Sequence, residues 1–349
     1  MNKNEHETRH EPYYISTSIP YVNARPHIGH ALEYVQADAL ARYARLSGRD
    51  VWFQTGTDEN SLKNVRAAER EGIATAALVE RNAAQFRALG DALGLSFDDF
   101  IRTSAEARHR EGVAKLWLAC ERAGDIYSRP YRGLYCVGCE QFYAPGELAE
   151  GLCPVHQVAP EPVEEQNYFF RLSRYAEPLR ELIETDRLRI VPATRKNEVL
   201  SFIRGGLEDF SISRSRARAH GWGIPVPGDP EQVTYVWFDA LGNYITALGY
   251  AGEGARFRSH WAGGARRAHF GSGCRWRLRR AGRLPGPPPR GSRTLVGHGV
   301  LGGLGRFGRI SGIGRASSRS HDSLALGRRP GGPIRSRMAV QGMRRRLPS

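Results

Sequence analysis

Residues 13–60 read YYISTSIPYVNARPHIGHALEYVQADALARYARLSGRDVWFQTGTDEN, and this stretch decides the fold. Residues 13–19, YYISTSI, are β-branched and aromatic, a strand composition, and Pro20 ends the run because it has no N–H to give a ladder. From Ile28 onward Leu32, Val35, Ala39, Tyr43 and Leu46 recur at three- and four-residue steps, which predicts a helix, with Gly48 as its stop. DVWFQT, from Asp50, then reads as a second buried strand. Strand, helix, strand over about forty residues is a βαβ unit, so a parallel, right-handed arrangement is expected.

Outward from this unit, residues 61–122 carry two long helical patterns, TAALVERNAAQFRALGDALG and AEARHREGVAKLWLACERAG. Short Gly- and Pro-punctuated pieces follow between about 125 and 165. Regular patterning returns with NYFFRLSRYAEPLRELIET, and VTYVWFDALGNYITALG reads as a strand running into a helix. The fold class expected from these patterns is α/β, with a parallel sheet.

Charge divides the chain. The net charge of +15 over 349 residues suggests a polyanionic partner only until it is located. Residues 261–349 hold 20 Arg, 19 Gly, no Lys and a single acid, Asp322, leaving residues 1–260 with 31 basic and 35 acidic side chains. The high isoelectric point thus belongs to the last segment and says little about the globular part. That segment shows no helical or strand period, and its composition predicts disorder. Its Gly297-x-Gly299-x-x-Gly302 pattern has no strand before it and is a chance match at this glycine density. No apolar run is long enough to span a bilayer, and MNKNEHETRHEPYY lacks the apolar centre of a secretory signal. A cytoplasmic protein without a membrane partner is expected.

Two constellations carry chemistry. His27-Ile28-Gly29-His30 lies where a strand gives way to a helix, the place where parallel sheets bind ligands and helix N-termini favour phosphate. His27 and His30 are suited to donate hydrogen bonds to phosphate oxygens as charge develops, and Gly29 lets a purine or ribose approach the backbone. Two exposed histidines on an ordinary helix turn are the competing reading of the tetrapeptide. The second constellation is Cys136-x2-Cys139 followed, after thirteen residues, by Cys153-x2-His156. Three thiolates and an imidazole complete a tetrahedral shell around Zn²⁺ with no position for water, which argues for a structural ion. Cys120, on a helical apolar pattern with Leu116 and Leu118, reads as a core thiol.

The order of IPYVNARPHIGH, QADALARYARLSGRDVWFQTGTDEN, DDFIRT, GLYCVGCEQFY, GLCPVHQ, NYFFRLSRY, DFSISR, WGIPVP and TYVWFDALGNYITAL resembles the methionyl-tRNA synthetases, a family of class I aminoacyl-tRNA synthetases, from Tyr13 to about Trp261. The resemblance implies a Rossmann-like domain interrupted by a connective insertion with a zinc knuckle. Boundaries follow at 1–124 (first half of the catalytic domain), 125–230 (insertion and return segment), 231–261 (start of the second half) and 262–349 (basic tail). It implies ATP, with Mg²⁺, at His27, Gly29, His30 and Glu33, of which His27 and His30 act in catalysis. It implies an amino-acid pocket formed by Ile19, Tyr21, Asp58, Trp237, Leu241 and Tyr244. Methionine suits such a pocket, because its polarizable sulfur sits well against aromatic rings and a carboxylate answers its ammonium group. Arg214 matches a family position near the active site, with a surface ion pair as the competing reading. Asn60-Ser61 departs from the family's usual His-Gly after the two acids.

The activity implied is ATP-dependent formation of methionyl-adenylate and transfer of the methionyl group to tRNA(Met). The family's lysine-rich loop, which stabilises the leaving pyrophosphate, finds no match, since no lysine follows Lys196. A chain truncated relative to the family, with an out-of-frame tail and impaired adenylation, is expected. A synthetase for another apolar amino acid and a non-catalytic RNA-binding paralogue are the alternatives; nothing in the sequence specifies an oligomeric state.

Overall fold

The computed structural model describes residues 11–278, apart from 140, 144, 145, 147, 264, 272 and 273. β1 (Pro12–Thr17), α1 (Ile28–Leu46) and β2 (Asp50–Thr57) form the expected βαβ unit, and β1 pairs β2 in parallel with Tyr13 opposite Val51. α2 (Leu62–Glu71) and α3 (Thr75–Ala92) lead to β3 (Asp99–Arg102), which extends the parallel sheet beyond β2. α4 (Ala107–Arg122) follows.

The insertion then builds its own layer. β4 (Ile126–Cys136), β5 (Gln141–Tyr143) and β6 (Glu161–Phe170) make an antiparallel sheet with the cysteine turns at its tip. After α5 (Ala176–Glu184) the chain returns through β7 (Leu188–Val191) and α6 (Ala193–Arg204). β8 (Phe210–Ser211) joins the insertion sheet, while β9 (Ser213–Ser215), β10 (Pro225–Val226) and β11 (Asp229–Thr234) form a small antiparallel sheet that delivers α7 (Val236–Thr246). β12 (Arg266–Gly271) and β13 (Cys274–Leu278) complete the central sheet, whose order is β3-β2-β1-β12-β13-β7.

One feature departs from the sequence reading, and a second was not specified by it. Disorder was expected from residue 262, yet β12 pairs in parallel along β1, Tyr13 opposite Arg266 through Thr17 opposite Phe270. Ala268 and Phe270 point into the core beside Tyr13, Ile15 and Phe53, an alternation too short to stand out between arginines. The rest of the expected disordered segment, 279–349, lies outside the described residues. The second concerns α1. Ile28, Leu32, Val35, Tyr43 and Leu46, whose spacing predicts the helix, are solvent-exposed, and Tyr34, Ala37, Asp38, Ala41 and Ala44 are buried. Small side chains at 37, 41 and 44 let the helix lie close against β1, β2 and β12.

The main core holds Tyr14, Trp117, Phe170, Leu179, Ile190, Phe238 and Trp261, so α4, α5, β7 and α7 are packed as one body. Cys120 belongs to it, and burial pushes its thiol up to about 12, as a core thiol requires. Among the described residues no helix is long and apolar enough to cross a membrane.

Candidate functional site

The candidate residues gather at the carboxyl ends of β1 and β2. His27 is the N-cap of α1, with extended backbone, and its Nδ1 accepts from the Gly29 N–H at 3.0 Å. His30 answers reciprocally, its Nδ1 accepting from the His27 N–H at 3.2 Å, so the pair forms a capping box made of imidazoles. The rings stack with centroids 3.8 Å apart. With each Nδ1 occupied as an acceptor, Nε2 is the ring nitrogen left to carry a proton, away from the backbone. Burial, with His27 alongside, lowers the His30 pKa to about 4, so this ring is neutral at pH 7. Two Nε2–H donors at a helix start suit phosphate oxygens. Gly29 serves the pair itself, because a Cβ there would meet His27 Cε1 at 2.9 Å. Glu33 is engaged internally: its Oε1 accepts from the Ser18 N–H at 2.8 Å and the Ser18 hydroxyl at 2.6 Å, tying α1 to the end of β1.

Beyond Pro20 the β1–β2 ladder continues as a bridge between Tyr21 and Asp58, with the Asp58 N–H donating to the Pro20 carbonyl at 2.9 Å. The loop after Asp58 is firmly held. Asn64 Nδ2 donates to the carbonyls of Asp58 (3.2 Å) and Glu59 (2.9 Å), Trp222 Nε1 donates to the Glu59 carbonyl at 2.8 Å, and Arg102 Nε donates to the Glu59 carboxylate at 2.8 Å.

α7 supplies the other wall. It is buried on almost every side, and only Trp237, Leu241 and Tyr244 are partly open, at steps of four and three that make one stripe. Ile19, Tyr21 and Trp237 pack together against Tyr235, Val236 and Ala240, so the structure unites these three expected pocket residues. Tyr244, further along the stripe, meets His269 edge-on at 4.7 Å. Arg214 is buried rather than on the surface. Its guanidinium lies 4.6 Å from the Tyr235 ring and donates to the Tyr135 hydroxyl at 3.2 Å.

Behind the stripe runs a buried polar network that sequence reasoning missed. His109 Nδ1 lies 2.8 Å from Thr246 Oγ1, and His109 Nε2 lies 3.3 Å from Asp239 Oδ1. Burial raises the Asp239 carboxyl above its ordinary range, against the pull of His109 and a hydrogen bond with Asn60. Gln54 Nε2 donates to Asn243 Oδ1 at 2.6 Å. A polar period within an apolar helix was the only signal available, and it reads equally as surface.

Cys136, Cys139, Cys153 and His156 converge, their ligand atoms all within 4.8 Å of one another. Cys139 Sγ is 3.4 Å from Cys153 Sγ and 3.2 Å from His156 Nδ1, and Cys136 Sγ is 3.8 Å from His156 Nδ1. Zn–S bonds of about 2.3 Å in a tetrahedron place ligand atoms about 3.5–3.8 Å apart, so the residues fit zinc. Burial pushes the Cys139 thiol up to about 12. Burial opposes the Cys153 thiolate too, but hydrogen bonds from the His156 N–H and the Tyr143 hydroxyl prevail and bring it down to about 6.

Between the knuckle and α2 lies a cavity of about 580 Å³. Lys63, Arg66 and Arg70, on one face of α2, line it with Tyr21, Gly138 and His156. Arg66 pairs with Glu161 at 2.7 Å, and Lys63 Nζ sits 4.5 Å from the Tyr21 ring centre.

A parallel sheet with its candidate groups at the strands' carboxyl ends, a histidine-capped helix beside them, defines a Rossmann-like α/β domain. The chain belongs to the tRNA synthetases class I (M), whose family model matches residues 13–159 and 143–271. It is 47% identical over 259 residues to a methionine–tRNA ligase of Brucella suis, covering 73% of this chain and 50% of that one. It is 46% identical over 257 residues to the methionine–tRNA ligase of Mycobacterium bovis, covering 72% and 49%. Among solved structures it is similar to the Mycobacterium tuberculosis methionyl-tRNA synthetase in complex with methionyl-adenylate, with a TM-score of 0.68, 46% identity, and coverage of 72% of this chain and 50% of that one. The chain spans about half the length of the curated relatives it matches.

Proposed function

We propose that this chain binds methionine and ATP at the carboxyl edge of its parallel sheet, for activation of methionine and its transfer to tRNA(Met). The observation that carries this reading is the open Trp237–Leu241–Tyr244 stripe on an otherwise buried helix, packed at Trp237 against Ile19 and Tyr21. An aromatic wall suits a thioether, and the carboxylate of Asp58, whose backbone is paired beside Tyr21, suits the ammonium group. The relative that binds methionyl-adenylate supports the same substrate pair.

Each side chain then has a task. His27 and His30 hold ATP phosphates through Nε2–H donors as charge grows in the attack of the methionine carboxylate on the α-phosphate. Glu33 keeps α1 docked on β1 so that this cap stays at the strand end. Arg214 braces Tyr235 behind the pocket. The cationic cavity beside Tyr21 suits the phosphates of an RNA end approaching the carboxyl group. Zn²⁺ held by Cys136, Cys139, Cys153 and His156 cross-links the insertion tip, a structural role. Adenylation is slow in this reading, because residues 197–349 contain no lysine to stabilise pyrophosphate.

Calorimetry of the full chain with methionine, together with ATP–pyrophosphate exchange, tests the proposal. Methionine binding with exchange far below that of a full-length relative is expected; exchange at the relative's rate overturns the slow-adenylation element, and no methionine binding overturns the pocket.

A further inference from the structure

We propose that His109 is a positioning residue for the amino-acid pocket, holding α7 at the one rotation that presents Trp237, Leu241 and Tyr244 to the ligand. The inference rests on the pocket reading above and adds a residue that lies outside the pocket.

His109 stands on α4 and is fully buried. Its two ring nitrogens reach two residues of the same neighbouring helix, Asp239 at 3.3 Å and Thr246 at 2.8 Å. Seven residues are almost two helical turns, so Asp239 and Thr246 lie on one side of α7. At 100° per residue that side is opposite the mean direction of Trp237, Leu241 and Tyr244. Asn243, between the two contacts, is fastened to Gln54 of β2 at 2.6 Å. The back of α7 is thus polar and anchored at three points, while its front is apolar and open.

Close packing makes the anchor specific. A Cβ on Gly112 of α4 would lie 2.4 Å from the Thr246 methyl, and one on Gly242 of α7 would lie 3.4 Å from Val113. An apolar contact alone tolerates a helix rolling by part of a turn, whereas a buried donor–acceptor set leaves polar atoms unsatisfied when it slips. His109 therefore ties the rotation of the aromatic helix to α4, and Asn243 ties the same back face to β2.

The test is calorimetry of methionine and of ATP binding to the full chain, wild type against His109→Leu, His109→Gln and Thr246→Val, with melting temperatures alongside. His109→Leu should weaken methionine roughly tenfold or more, well below its melting temperature, since small misplacements of binding groups carry costs of this order. ATP affinity, set by the α1 cap, should stay within about twofold, by the additivity expected of separated sites. His109→Gln, which can still accept from Thr246 and donate to Asp239, should restore most of the methionine affinity. If His109→Leu does not fold, Thr246→Val, which removes one anchor at nearly constant volume, should show the same selective loss in smaller measure. Unchanged methionine affinity in a folded His109→Leu or Thr246→Val, or equal loss of both ligands in step with melting temperature, overturns the inference alone. A wild type that binds ATP but no methionine overturns the pocket reading and this inference with it.

Discussion

The His27 imidazole folds back over Gly29, so closely that a Cβ on residue 29 would meet the ring at 2.9 Å while the Gly29 N–H donates to it at 3.0 Å. The glycine is required by its neighbour's cap. Gly29→Ala should displace an exposed ring, costing at most about 1 kcal/mol, the value of an N-cap. Alanine's better helix propensity offsets part of that cost. Nucleotide affinity should fall severalfold although the melting temperature hardly moves. Calorimetry with ATP alongside thermal denaturation checks both halves.

His30 carries a pH signature. Its folded pKa, about 4, lies below the unfolded value of 6.5, so between these pH values the unfolded chain binds the additional proton. Its contribution is therefore fully present above pH 6.5 and is lost as pH falls toward 4. The ring is only half buried, and the effect is correspondingly modest. An NMR titration should place the His30 midpoint near 4, and His30→Asn should flatten the stability profile between pH 6.5 and 4. A midpoint between 6 and 7 would contradict the neutral-donor role.

Zinc should be stoichiometric and local in its effect. Elemental analysis of the purified chain should find zinc, and chelation or Cys153→Ser should remove it. Hydrogen exchange should then accelerate in the knuckle, around residues 133–157, and leave β1, β2 and β12 protected, because the metal contributes folding energy only to the segment it closes.

The faces of α1 can be distinguished by substitution. Leu46→Gln, at a residue 89% exposed, should change stability by no more than about 0.5 kcal/mol. Ala41→Leu, at a fully buried position against the sheet, should cost about 1–3 kcal/mol through overpacking. Urea denaturation of the two variants reads the difference.

α1 also shows how far a hydrophobic period can be read. The spacing of Ile28, Leu32, Val35, Tyr43 and Leu46 located the helix correctly, because any apolar stripe at that period favours one. It leaves the buried face unmarked, because close packing onto a sheet selects small residues, and alanines make a weak signal. The βαβ unit and the Cys3His cluster were legible for the same reason: each is encoded within a short window by residues whose spacing has few other uses. Contacts across long sequence separations were not legible. His109 meets Asp239 and Thr246 only after the whole insertion has been threaded between them, and neither residue is unusual where it stands. β7 reaching the far edge of the central sheet is invisible in the same way, since its four residues carry no mark of their destination.

Methionine binding to the full chain, measured by calorimetry beside Trp237→Ala and against leucine, is the most direct measurement of what this site does. Saturable binding of methionine in preference to leucine, lost in Trp237→Ala at an unchanged melting temperature, is the expected result. No binding of methionine, or leucine bound as tightly, would contradict a methionine pocket between Tyr21, Asp58 and α7.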